Sequence, residues 1–256
     1  MLQGAILIPE FPKFRAHHNK VFMEILRSIH YSASVKGIAS HGYGTIEEFA
    51  CDIGLQPEKV VIKPAAGVRS SGVRLVEGHA AQLRYARRLS SSFHVVEFMK
   101  RLVNSIIRKN YPKKSLHRRK FIVQEFLPGL DGDYKILVYG EKYYVLERKN
   151  RKDDFRASGS GKFTFPVSSP SELLNFARDI FTSFQVPFIS MDIAKCKSQY
   201  VLLEFQFLCF GNYTLERSEF YFTRSGEIGW QKIEETPDLE REFVASVVRY
   251  IDIISR

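Results

Sequence analysis

Two groups of residues in this chain have the types and spacing to do chemistry. The first is the apolar run Val60-Val-Ile-Lys63-Pro64 and the small-residue loop after it, with Gly67, Ser70, Ser71, Gly72 and Val73. The proline holds Lys63 extended and aims its ammonium at the loop mouth. Gly67 and Gly72 permit positive φ and let backbone N–H groups come close to an anion. A polyphosphate would suit such a loop; an ordinary turn between strands would use the same residues. The second group is Val201-Leu-Leu-Glu204-Phe205-Gln206-Phe207. Residues two apart in a strand share a face, so Glu204 and Gln206 point together while Leu203, Phe205 and Phe207 point into a core. Asp192 ends an apolar strand just upstream and would join them across a hairpin. These are hard oxygen donors of the kind magnesium takes, with substrate phosphates and water completing its octahedron. A solvent-facing polar edge is the plainer reading of Glu204 and Gln206 taken alone.

Two further segments could serve the same chemistry. Gln124-Glu125-Phe126-Leu127 runs from a strand into Pro128-Gly129, with Asp133 shortly after. Backbone groups there could meet the edge of an adenine, and the acid could bond ribose hydroxyls; a routine hairpin connection accounts for the residues equally well. The basic run Arg148-Lys149-Asn150-Arg151-Lys152 precedes Phe155-Arg156-Ala157 and a Ser-Gly-Ser-Gly tract. Cationic charge beside a flexible loop fits a transient cover over a charged reaction centre, with Lys149 and Arg156 as candidates, although charge runs are more often solvated faces. The cluster from Lys113 to Lys120 reads as a solvated loop. Neither common nucleotide loop is present: Gly161-Lys162 is followed by Phe163, and Gly42-Tyr43-Gly44 meets Glu47 where a third glycine belongs.

The elements that must position these residues are legible in the periodicity. Val21, Phe22, Ile25, Leu26 and Ile29 recur at helical spacing behind Asn19, a good cap. Thr45 with Glu48 is a capping-box pattern opening a short helix. Strands are expected at 59–63, 73–76 and 121–126. A hairpin is expected from Tyr134–Tyr139 and Lys142–Arg148 around Gly140-Glu141, and a strand pair from 188–194 and 200–208. Helices are expected over 80–110 (broken near 89–92), 171–184 and 238–254. Helices alternating with antiparallel hairpins predict an α+β fold rather than a doubly wound parallel sheet.

Composition bounds the rest. The chain has 256 residues, 45% of them apolar and 13% aromatic, enough for a substantial core. A net charge of +10 favours anionic partners. The three cysteines, Cys51, Cys196 and Cys209, have no zinc-ligand spacing and predict reduced thiols and a cytoplasmic protein. The apolar start Ala5–Ile8 is too short for a membrane span or a signal peptide.

In order and spacing, the motifs from about Asn19 to Gly211 resemble the ATP-grasp superfamily of carboxylate–amine and thiol ligases. The resemblance implies ATP between two α+β lobes with mainly antiparallel sheets. The chain would divide as a lead-in over 1–18, a first lobe with the glycine-rich loop over 19–120 and a second lobe with the metal site over 121–256. It also implies that Lys20 and Lys63 hold phosphates, Gly67 to Val73 covers them, Gln124 to Leu127 receives adenine and Asp133 binds ribose. Asp192, Glu204 and Gln206 would bind Mg2+, with Mn2+ as a substitute. The implied reaction is ATP- and Mg-dependent activation of a carboxylate as an acyl phosphate for attack by an amine, with charge neutralised by Lys20, Lys63, Lys149 and Arg156. An ATP-grasp small-molecule kinase and a catalytically degenerate polyanion-binding protein are the alternatives. The acceptor would be a small molecule or an acidic polymer rather than nucleic acid. The run from Glu204 to Leu215 also resembles a bacterial ATP-grasp branch associated with surface polysaccharides.

Three departures from the family pattern stand out. Gln206 replaces the usual Asn and reaches farther by roughly 1.5 Å. Ser190 stands where several ligases carry an arginine. The usual N-terminal α/β domain is not expected in this chain.

Overall fold

Runs of β-branched and aromatic residues separated by glycine turns form antiparallel ladders in the computed structural model. It describes residues 6–17, 19–67, 71–92, 99, 103–104, 106–107, 115–150, 157, 161–226 and 229–255. Two compact units emerge, one of His18–Ile25 and Ala39–Phe126, the other of Met1–His17, Leu26–Ile38 and Leu127–Arg256.

The first unit contains strands β1 (Ser40–Tyr43), β2 (Lys59–Pro64), β3 (Arg74–Glu77) and β4 (Phe121–Glu125) in the order β1-β4-β2-β3. Their apolar residues and the helices Ile46–Asp52 and His79–Ser90 bury Phe49, Ile62, Ala86, Phe121 and Val123 together. Thr45 caps the first of these helices, its Oγ1 accepting the Glu48 N–H at 3.2 Å. The Glu48 carboxylate accepts from the Gly44 N–H at 2.8 Å, one residue before the capping-box position. Because β4 pairs with β1 and β2, it lies in this unit, beyond the 120/121 division expected from the sequence.

The second unit carries β5 (Gly132–Tyr139), β6 (Lys142–Lys149), β7 (Phe163–Thr164), β8 (Phe188–Cys196), β9 (Gln199–Gln206), β10 (Phe220–Ser225) and β11 (Gly229–Glu234). They form one seven-stranded sheet in the order β11-β10-β6-β5-β8-β9, with β7 on β6. The amphipathic helix Ser171–Phe184 buries Leu173, Leu174, Ala177 and Ile180, and packs Phe184 against Phe205 and Phe207 with ring centroids 4.9 Å away. Phe205 and Phe207 are thereby fixed on the covered face of β9, so Glu204 takes the other face. The helix Leu239–Ile254 starts at Asp238, whose Oδ1 accepts the Arg241 N–H at 2.8 Å. The short helix Phe11–Ala16, expected only as part of a lead-in, belongs to this unit. The β10–β11 hairpin was not expected from the sequence pattern.

The α+β architecture with antiparallel sheets is the one the sequence predicts. The helix expected over 80–110 with a break near 89–92 runs from His79 to Ser90 and stops there, Ser91 and Ser92 being non-helical; most of the remainder lies outside the described residues. All three cysteines are free thiols. Among the described residues no helix is long and apolar enough to cross a membrane.

Candidate functional site

Register brings a row of charged and polar side chains onto one face of the larger sheet. Across β8 and β9, Asp192 lies opposite Glu204 and Ser190 opposite Gln206. Across β5 and β8, Lys135 lies opposite Asp192, and across β5 and β6 Asp133 lies opposite Arg148. Directly opposed residues share a face, as do residues two apart, so all seven side chains emerge together.

A break in the ladder sets the end of this row. The register shifts between Asp192 and Ile193, which pair with Glu204 and Leu202 and leave Leu203 extra on β9. The buried Arg27 guanidinium satisfies the carbonyls there, donating to Leu202 O at 2.9 Å and Leu203 O at 3.2 Å, as well as to Val35 O at 2.7 Å. It also lies over the Phe205 ring at 5.3 Å. Arg27 thus holds the backbone immediately before Glu204.

The ion pairs decide the protonation states. Arg148 makes a two-pronged contact with Asp133, Nε to Oδ1 at 2.5 Å and Nη2 to Oδ2 at 2.8 Å, and reaches Asp192 Oδ2 at 2.9 Å. Lys135 Nζ bridges Ser190 Oγ at 2.9 Å and Asp192 Oδ1 at 3.3 Å. Burial alone would raise the Asp192 pKa; Arg148 and then Lys135 outweigh it and hold the carboxyl well below the usual range. Asp133 is pushed up to about 6 by burial and by the Asp192 charge, against the pull of Arg148. With two carboxylates sharing one guanidinium, Asp192 keeps the charge because it also has Lys135. Burial would lower the Arg148 pKa, but the two carboxylates hold it well above normal. Gly132 permits this pairing: a Cβ there would collide with the Arg148 carbonyl.

Lys135, Ser190, Asp192, Glu204, Phe205 and Gln206 enclose a polar void of about 30 Å³, roughly the space one water takes in the liquid. Gln206 Nε2 lies 3.4 Å from Glu204 Oε1, which leaves the amide carbonyl as the Gln206 donor for a cation. Among the described residues no three His, Cys, Asp or Glu side chains form a metal cage. Magnesium does not need one, since it binds through one or two carboxylates plus substrate phosphates and water. Asp192 and Glu204, with the Gln206 carbonyl, fit that requirement.

The residues of the expected phosphate cradle lie in the smaller unit. The Lys20 N–H donates to Ala65 O at 2.7 Å, which places the start of the helix Lys20–Ile29 beside the end of β2, two residues past Lys63. Asn19 Oδ1 accepts the Phe22 N–H at 3.3 Å, as expected of a cap. Gly67 and Gly72 have φ of 153° and 69° and pack on Pro64, and Gly72 O accepts the Tyr85 hydroxyl at 2.9 Å. Ser71 lies beside Gly72 in the same turn, and Val73 leads into β3. Ser70 lies outside the described residues, as does Arg156. Gln124 is buried opposite Ser40, and neither the Gln124 Nε2 nor the Ser40 Oγ meets a partner among the described residues. Glu125 exchanges hydrogen bonds with the Ala39 backbone, and the Phe126 ring carries Lys59 Nζ at 5.3 Å. Leu127 opens the other unit.

Two expected residues take different surroundings. Asp133 spends both carboxylate oxygens on Arg148 and is 9% exposed, so it is not displayed for ribose. Lys149 is exposed and pairs with Glu147 at 2.7 Å, because alternation along β6 sends it to the face opposite Arg148. Sequence reasoning passed over Lys135, Arg148 and Arg27. For Arg148 the signal was available: pairing the hairpin about Gly140-Glu141 sets it against Asp133.

No family profile and no curated protein sequence matches the chain. Solved structures do. The chain is similar to D-cycloserine synthetase, at 12% identity over 77% of this chain and 64% of that one, with a TM-score of 0.51. It is similar to the phosphoribosylamine–glycine ligase of Thermotoga maritima, at 16% identity over 78% of this chain and 50% of that one, TM-score 0.51. A third is N5-carboxyaminoimidazole ribonucleotide synthetase, solved as an ADP complex, at 9% identity over 82% and 50%, TM-score 0.51. At these identities the likeness establishes the fold: the chain has the ATP-grasp fold, and it spans half to two-thirds of the length of these proteins.

Proposed function

We propose that this chain is an ATP- and Mg2+-dependent ligase that activates a carboxylate as an acyl phosphate for attack by an amine or similar nucleophile. The observation that carries the reading is the row of Lys135, Asp192, Glu204 and Gln206 around one ion-sized void, on a fold whose solved neighbours include two named as synthetases and one named as a ligase. Lys135 and Arg148 keep Asp192 an anion at neutral pH, so its oxygens stay electron donors. Bound magnesium would draw charge from the phosphate oxygens. Lys20, Lys63 and the backbone of the Gly67–Gly72 loop would neutralise and orient the polyphosphate, as phosphoryl transfer requires. Lys149, which pairs with Glu147 in solvent, has no part in this scheme; Arg148 and Lys135 serve it by holding Asp192 ionised.

In this scheme a substrate carboxylate oxygen bonds to the γ-phosphorus as the bond to the ADP oxygen breaks. The nucleophile's nitrogen then bonds to the acyl carbon, phosphate departs with the former carboxylate oxygen, and the nitrogen's proton leaves with it. Hydroxylamine tests the scheme by intercepting the acyl phosphate. Supplied with Mg-ATP and a panel of carboxylates, the protein should yield a hydroxamate and ADP with at least one acid. A stable phosphorylated product without hydroxamate would make it a kinase. Absence of nucleotide affinity together with salt-sensitive polyanion binding would make it a binding protein.

A further inference from the structure

A cleft of about 700 Å³ lies beside the Gly140-Glu141 turn of the larger unit, within the range of small-molecule sites. It is distinct from the carboxylate row. Gly140, the residue after β5, lies five positions beyond Lys135, roughly 16 Å of extended chain. Three elements each bring an arginine to it: Arg178 from the helix Ser171–Phe184, Arg224 from β10 and Arg249 from the helix Leu239–Ile254. Glu141 is the one acid among the lining residues, and it pairs with Arg249. Arg178 and Arg224 make no ion pair with any described residue. Arg178 lies close enough to Tyr143 in the cleft to oppose the upward push of burial on that phenol, with Glu141 and Asp179 acting the other way. The three arginines line one concavity whose walls include Phe181 and Tyr250.

We propose that this cleft is a second binding site, for a compact ligand that carries two or more phosphate or carboxylate groups on an apolar body. Guanidinium forks bind both groups in the same planar geometry. Among the lining residues three arginines stand against one carboxylate, Glu141, which favours a multiply charged anion; Asp179 and Glu10 act on the Tyr143 and Tyr250 phenols from outside the lining. Phe181 and Tyr250 would cover the uncharged part. The proposal does not depend on the ligase reading.

Calorimetric titration of the whole chain, without divalent cations and in about 0.15 M salt, tests it with two probes, pyrophosphate and the tricarboxylate tricarballylate. At least one should bind saturably, and the stronger identifies the preferred group. The double variant Arg178→Ala/Arg224→Ala should weaken binding at least ~10-fold with an unchanged thermal melt, since both side chains are exposed. Lys63→Ala, which on the ligase reading weakens pyrophosphate binding at the other unit's cradle, should leave unaltered the binding component that the double variant loses. Failure of both probes to saturate, binding by the double variant within about twofold of the parent, or that component lost instead in Lys63→Ala overturns the site.

Discussion

Replacing Arg148 by methionine removes the one guanidinium shared by the buried Asp133 and the partly buried Asp192, and the cost can be worked from the contacts. The side chain makes three hydrogen bonds to charged oxygens, at 2.5 and 2.8 Å to Asp133 and 2.9 Å to Asp192. Breaking a buried pair by deleting one partner costs about 3–5 kcal/mol. Two effects pull the figure to the low end: Asp192 keeps Lys135, and Asp133 can protonate. A loss of about 3 kcal/mol at pH near 7 is expected, survivable against a usual stability of roughly 5–15 kcal/mol. The assay is built in. Trp230 is the sole tryptophan and lies in the same unit, its indole N–H on Asn175 Oδ1 at 2.9 Å and its ring 4.9 Å from Tyr143. Its fluorescence in urea therefore reports unfolding of the unit that holds Arg148. The pH dependence supplies a second check. In the parent, Asp192 is depressed, so its stabilisation is present above the unfolded value of 3.8 and is lost only as pH falls through its folded value. Asp133 is raised from 3.8 to about 6, so its contribution is fully present below 3.8 and is lost as pH rises through 6. Without Arg148 both carboxyls shift upward, and protonation relieves both on acidification. The deficit should therefore shrink between about pH 7 and pH 4.5, and Asp133→Asn should recover at least ~1 kcal/mol of it at pH 7. A deficit under ~1 kcal/mol, or one that does not change with pH, would refute the shared-guanidinium argument.

Glu204→Ala should abolish magnesium-dependent turnover while shifting the Trp230 unfolding curve by less than about 1 kcal/mol, because the side chain faces the polar void rather than the core; retained turnover would remove it from the metal site. Gly72→Ala forces φ of 69° on an L residue and sets its Cβ 3.2 Å from Pro64, so stability should fall by ~1 kcal/mol or more and calorimetry should show weaker ATP binding. Lys149→Ala should change stability by less than ~1 kcal/mol and leave turnover intact, given an exposed pair with Glu147; a large loss of turnover would restore its catalytic candidacy. Arg27→Ala should lower turnover as well as stability, since it frees the carbonyls of Leu202 and Leu203 just before Glu204; normal kinetics in the folded variant would show that the bulge positions Glu204 unaided.

The parts of the fold legible in the sequence are those fixed by local periodicity. The apolar stripe behind Asn19, the Gly140-Glu141 hairpin and the helix Ser171–Phe184 each combine a clear period with a terminal signal. The two-residue rule also aligned Glu204 with Gln206, and the register sets them opposite Asp192 and Ser190. Pairing between distant segments was hidden. Nothing local to Ser40–Tyr43 announces that it joins β4, and the β10–β11 hairpin is short and carries its charges within the strands. Arg148 was concealed by composition, because a run of basic residues reads as one solvated surface until the strand's alternation splits it between two faces. Arg27 was concealed in the opposite way: a charge inside a helix of apolar period reads as its wet side, yet it is buried because three backbone carbonyls receive it.

If the proposed reading holds, the charge count on the sheet face would favour a metal–nucleotide over either component alone. Two cations, Lys135 and Arg148, stand against three carboxylates, Asp133, Asp192 and Glu204. With all five ionised the row carries one net negative charge and repels a bare polyphosphate. The raised Asp133 moderates that charge below about pH 6, while Arg148 and Lys135 keep Asp192 from following it. A divalent cation held by Asp192 and Glu204 would reverse the sign of the row and so favour phosphate oxygens beside it. On the ligase reading, Arg148 and Lys135 are not rivals of the metal for the carboxylates. They would hold Asp192 ionised for the metal, which is what a partly buried anion beside a phosphoryl-transfer site would require.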